Sequence, residues 1–81
     1  MKTVVFTSAA SRQWIKLTAS IRGRILPKLE AYAAAGTGDV KRLKGQAGCR
    51  LRIGDYRIVF FEDAVTITVV AVGHRRDIYD R

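Results

Sequence analysis

The 81-residue sequence has one cysteine, one histidine and one proline, only seven acidic residues, and no apolar run near the roughly 20 residues needed to cross a bilayer. Each scarcity excludes something. Cys49 has no partner for an internal disulfide, and with His74 as the sole imidazole a protein-built zinc site is not expected. Asp39, Asp55 and Asp63 fall where loops and turns are expected, so no carboxylate pair is set up for sugar hydrolysis or for a metal cage. Chemistry without metal or cofactor is the expectation. The stretch from Met1 to Ala10 lacks an apolar segment of signal-peptide length, which predicts a cytoplasmic protein with no membrane association. No repeat, low-complexity tract or linker divides the chain, so residues 1–81 are read as one domain. A domain of this size buries only about 60% of the surface its unfolded chain exposes, and a partner would readily raise its stability.

Fifteen lysines and arginines against the seven acids give a formal charge of +8. Such a surface attracts polyanions, either nucleic acid or an acidic protein. It is also compatible with charge that merely keeps a small protein in solution, and only the placement of the charges separates the two.

Residues 2–7 alternate Val4 and Phe6 with polar neighbours and predict a short strand. Ser8 is placed to cap a helix. From Ala9 onward Trp14, Leu17, Ile21, Ile25, Leu29 and Tyr32 recur at helical spacing, and the small hydroxyl residues between Thr18 and Ser20 predict a break into an antiparallel helical hairpin. Pro27 predicts a kink in the second helix unless a helix restarts there. Gly36 and Gly38 end the helical region and open a loop to about Gly48 that carries Lys41, Arg42 and Lys44. Beyond Cys49 the period changes to two. Three strands follow, around Arg50–Ile53, Tyr56–Glu62 and Val65–Val72, with Gly54-Asp55 as a glycine-first two-residue turn and Asp63-Ala64 as the second connection.

The Gly54-Asp55 turn predicts a register with Ile53 opposite Tyr56, Arg52 opposite Arg57, Leu51 opposite Ile58 and Arg50 opposite Val59. Leu51, Ile53, Ile58, Phe60, Ile67 and Val69 then share one face, the seat for the helices. The other face collects Arg50, Arg52 and Arg57, and the same count assigns it Val59, Phe61, Val70 and Val72, and His74 if the last strand runs that far. Like charges opposite one another, about 5 Å apart at Cβ, are destabilising, and a purely structural sheet gains nothing from Arg52 across from Arg57. Either the guanidinium stems splay into water or pair with tail acids such as Asp77 and Asp80, or they converge on phosphate oxygens with forked hydrogen bonds.

Leu43-Lys44-Gly45, the run from Cys49 to Phe60 and the segment from Val72 to Tyr79 together resemble the RelE branch of the RelE/ParE toxins over essentially the whole chain. The resemblance implies an α+β fold: an N-terminal strand, a helical hairpin and a three-stranded antiparallel meander in one sheet. It implies a ribosome-dependent messenger endoribonuclease that acts on mRNA in the A site and partners a RelB-like antitoxin in a hetero-oligomer. In-line attack by the RNA 2′-hydroxyl would leave a 2′,3′-cyclic phosphate and a 5′-hydroxyl. The catalytic roles then fall to Arg50, Arg52, Arg57, Arg75 and Tyr79, with His74 as an alternate base, and RNA binding to Lys41, Arg42, Lys44 and Arg76. Arginine keeps its proton at working pH, so the base is either Tyr79 or His74. Two other readings remain at this point: a ParE-like DNA gyrase inhibitor and a non-catalytic nucleic-acid-binding module.

Overall fold

Threonine hydroxyls start both helices. After strand β1 (Thr3–Phe6), helix α1 (Ser8–Lys16) is capped by Thr7, whose side chain accepts a hydrogen bond from the Ala10 N–H at 3.1 Å. The cap is thus one residue earlier than Ser8, because Thr7 keeps the extended backbone that lets its hydroxyl reach forward. Helix α2 (Ala19–Ala35) is capped in the same way by Thr18 and ends at Gly36, whose φ of +71° suits glycine. The break between the helices therefore lies where the hydroxyl residues predicted it. Arg22 reinforces it by donating from its guanidinium to the carbonyls of Ile15 and Leu17 at the end of α1. Pro27 neither ends nor divides α2. Its missing hydrogen bond is outweighed by Ile25, Leu29 and Ala33, which bury one stripe of the helix on both sides of it.

The computed structural model describes residues 1–45 and 47–78. Strands β2 (Asp39–Arg42), β3 (Cys49–Ile53), β4 (Tyr56–Glu62) and β5 (Thr66–His74) complete a five-stranded sheet in the order β1-β5-β4-β3-β2. Neighbours are antiparallel except β1, which lies parallel to β5. Strand β2 corrects the sequence reading, which treated residues 36–48 as loop. Its four residues are too short and too polar to show alternation, and only the ladder supplied by β3 makes them a strand.

Ala10, Ile25, Leu29 and Ala33 of the helices pack with Leu51, Ile53, Ile58, Phe60, Ile67, Val69 and Val72 of the sheet, so both helices cover one face. Trp14 and Cys49 border this core, half-buried. At one end of the core Tyr32 donates a hydrogen bond to Glu62, which also accepts one from Lys2 Nζ at 2.7 Å. The Lys2 hydrogen bond, followed by that of Tyr32, holds the Glu62 carboxyl below its ordinary range. Burial, followed by the bond to Glu62, pushes the Tyr32 phenol up to about 12.

These opposite displacements set a window. A depressed carboxyl stabilises the fold above its unfolded pKa of about 4.3 and loses that contribution as pH falls. A raised phenol stabilises it below about pH 10 and loses that contribution as pH rises through the folded value. Glu62→Gln should therefore cost about 1 kcal/mol at neutral pH and little at pH 3. Urea unfolding of the wild type and the variant at both pH values measures this, and an equal loss at both would contradict the assignment.

Candidate functional site

Gly54 has φ +59°, and no non-glycine among the described residues has positive φ, so Gly54-Asp55 makes the glycine-first turn that the dipeptide predicts. The register follows: Ile53 faces Tyr56, Arg52 faces Arg57, Leu51 faces Ile58 and Arg50 faces Val59. Because Leu51, Ile53 and Ile58 are in the helix-side core, Arg50, Arg52 and Arg57 occupy the opposite face. Strand β2 extends this face with Lys41 opposite Arg50 and Asp39 opposite Arg52. Asp39 is thus a strand residue beside the arginines and not a loop residue.

A bulge between β4 and β5 changes the far side. Phe60 pairs with Val69 but its neighbour Val59 pairs with Ala71, leaving Val70 as the extra residue. One extra residue flips everything beyond it. Val72 is consequently buried in the helix-side core, opposite Ile58, and Ala71 comes to the arginine face, opposite Val59. His74 moves with it. It pairs with Tyr56, its ring edge-on to the tyrosine at 5.4 Å, while Gly73 is the residue opposite Arg57. The assignment of His74 and Val72 to the arginine face is corrected by the bulge, which is invisible in a run of valines.

Beyond His74 the chain turns. The Arg75 N–H donates to the Asp55 carbonyl at 2.7 Å, and Arg75 Nε lies 3.7 Å from Asp55 Oδ1. The Arg76 N–H donates to His74 Nδ1 at 3.2 Å, and the Asp77 N–H to the His74 carbonyl at 2.8 Å. Arg75 is thereby anchored at the hairpin turn beside the other arginines. Burial, followed by the charges of Arg50, Arg52 and Arg75, pulls the Arg57 guanidinium below its usual range, so all four arginines share one field.

Lys41 belongs to this face. Arg42, opposite Cys49, takes the other side of the β2 edge; Lys44 lies in the following turn and Arg76 in the tail turn, both exposed. Tyr79 lies outside the described residues. The sequence reading missed Asp55 as the anchor of Arg75, and Leu43 and Ile78 as buried residues on the basic face. The signal for the latter two was an isolated large aliphatic within a polar, charged segment.

Four converging guanidiniums can hold a phosphate and neutralise charge that develops on it. Among the described residues no cluster of histidine, cysteine or carboxylate side chains is placed to hold a metal ion, and no helix is long and apolar enough to cross a membrane. If the clustered cations are an anion site, inorganic phosphate should raise the melting temperature above that in chloride of equal ionic strength. Arg57→Gln should remove most of that rise while costing little in chloride, because the variant also relieves like-charge repulsion. A phosphate response unchanged in the variant would argue against the site.

The sequence profile described as ParE toxin of type II toxin-antitoxin system, parDE, matches residues 4–79. A chain of the RelB–RelE antitoxin–toxin complex from Methanococcus jannaschii is 28% identical, with a TM-score of 0.75 over 93% of this chain and 94% of that one. A chain of the RelBE2 toxin–antitoxin complex from Mycobacterium tuberculosis is 26% identical, with a TM-score of 0.63 over 91% of this chain and 98% of that one. The isolated RelE toxin of Escherichia coli superposes with a TM-score of 0.79 at 22% identity, covering 91% of this chain and 84% of that one, a likeness of fold. No curated protein matches the sequence. The α+β architecture is thus the RelE-like one, with β2 added to the expected strands. With a family match that spans nearly the whole chain, this protein belongs to the ParE toxins of type II toxin–antitoxin systems, within the RelE/ParE superfamily.

Proposed function

We propose that the toxin acts as a ribosome-dependent endoribonuclease on messenger RNA in the A site, with the arginine face as its phosphate clamp. The observation that carries this reading is the convergence of Arg50, Arg52, Arg57 and Arg75 on one side of the sheet, against like-charge repulsion. Like charges set opposite one another on a sheet suit a surface that a bound polyanion would neutralise.

In the proposed reaction the 2′-oxygen attacks the adjacent phosphorus and the bond from phosphorus to the 5′-oxygen breaks. The products are a 2′,3′-cyclic phosphate and a 5′-hydroxyl. Tyr79 takes the 2′-hydroxyl proton, Arg75 stabilises the departing 5′-oxygen until it gains a proton from solvent, and Arg50, Arg52 and Arg57 hold the non-bridging oxygens. His74 is the weaker candidate for the base, because it pairs with Tyr56 on the helix side and its Nδ1 accepts the Arg76 N–H. Lys41, Lys44 and Arg76 extend the basic surface along the RNA backbone. No metal or cofactor enters this scheme.

With no strong base built in, alignment of the messenger by the ribosome supplies part of the catalysis. The RelB–RelE complex among its structural relatives supports a RelB-like antitoxin as partner in a hetero-oligomer, and the charge of the arginine face suits an acidic segment of that partner. A ribosomal target places the toxin in the cytoplasm. The family profile's ParE name favours one other reading, inhibition of DNA gyrase through the same fold.

Primer extension on messenger from a purified translation mixture, run beside a gyrase supercoiling assay, separates the two. Ribosome-dependent cuts with 5′-hydroxyl ends are expected, with free RNA cut poorly. Tyr79→Phe should lower the rate by about 10²–10⁴-fold with ribosome binding retained. Arg57→Ala should lose both rate and affinity. Intact messenger with inhibited gyrase would overturn the nuclease reading.

A further inference from the structure

We propose that Ile78 is a positioning residue for the arginine clamp: seated with Leu43 and Val59, it fixes the tail turn that carries Arg75 and ties that turn to the lysine-bearing loop after β2. The inference rests on the proposed function for the nature of the ligand, and on packing for everything else.

Leu43, Val59 and Ile78 are 8%, 8% and 7% exposed and form a cluster separate from the helix-side core, with Val70 and Ala71 against it. The members come from three places: the loop after β2, the middle of β4 and the segment beyond β5. All lie on the face that carries Lys41, Arg50, Arg52 and Arg57. Gly73, opposite Arg57, leaves the floor bare there, and Ile78 Cγ1 and Cδ1 lie 3.5 Å from where a Cβ on Gly73 would sit.

Two consequences follow from this seat. The tail turn is held at both ends, by the Arg75 N–H on the Asp55 carbonyl at 2.7 Å and by Ile78 in the apolar cluster, which fixes the backbone that carries Arg75. The second is a connection across the sheet. Strands β2 and β5 are separated by β3 and β4, so no ladder joins the Lys41–Lys44 segment to the tail, yet Leu43 and Ile78 meet in one cluster above β4. The two basic segments at opposite sides of the clamp are linked through apolar contact, and Ile78 is the member that the tail contributes.

The test compares Ile78→Ala with the conservative Ile78→Val, and uses Ile67→Val in the helix-side core as a stability control. Amide hydrogen exchange is read at residues 43–45 and 74–78 beside melting temperature and single-turnover cleavage on the ribosome. Ile78→Ala should speed exchange in both segments and lower the cleavage rate by up to about 10²-fold, the cost of a small misplacement of reacting groups, with ribosome binding within a few-fold of wild type. Ile78→Val should recover most of the rate, and Ile67→Val should leave it unchanged whatever its effect on melting.

Unchanged exchange at residues 43–45 in Ile78→Ala would overturn the proposal. So would a rate that simply tracks melting temperature across the three variants. Should the wild type leave messenger intact, the nuclease reading fails on its own. Exchange and the phosphate-induced melting shift, expected to shrink in Ile78→Ala, then decide whether Ile78 positions the clamp.

Discussion

One backbone conformation governs the rest: Gly54 in the left-handed region, closing a two-residue turn between β3 and β4. With the turn at that length, side-chain alternation leaves one register, and that register puts every second residue of Cys49–Phe60 against the helices. The helix-side core and the arginine face are therefore two results of one constraint. Leu51, Ile53 and Ile58 cannot be buried without presenting Arg50, Arg52 and Arg57 together on the outside.

That outside face is where the fold accepts a cost. Arg52 stands across from Arg57 and Lys41 across from Arg50, pairings that weaken a sheet. Burial first, and then the charges of Arg50, Arg52 and Arg75, pull the Arg57 guanidinium below its usual range. Features among the described residues moderate this. Asp39 in β2 and Asp55 in the turn put acids beside Arg52 and Arg75, and the Leu43–Val59–Ile78 cluster supplies apolar cohesion amid the cations. On the helix side polar groups serve as fastenings, as in the Lys2–Glu62–Tyr32 set.

The β-bulge at Val70 is the second decision. It lets Val72 join the core after Val69 without a polar residue between them and turns His74 toward Tyr56. By the same step it leaves Gly73 opposite Arg57, giving Ile78 room to lie on the basic face. The tail turn at Arg75 then closes onto Asp55, so the hairpin turn that sets the register also anchors the fourth arginine.

Local chemistry alone determined much of this. Thr18 and Gly36 bound a helix because a hydroxyl and a left-handed glycine meet backbone needs at its ends, and Gly54-Asp55 aligns Arg52 with Arg57 because a two-residue turn admits one register. Tertiary structure decided the features whose cause lies far along the chain. Strand β2 exists because β3 offers it a ladder, although its own residues have weak strand character. The bulge cannot be read from Val69-Val70-Ala71-Val72, since apolar residues in succession suit either face, and what selects between them is the position of the helices and of β4. Leu43 and Ile78 show the same limit, because an aliphatic side chain states that it will be buried, and only the folded chain decides against what.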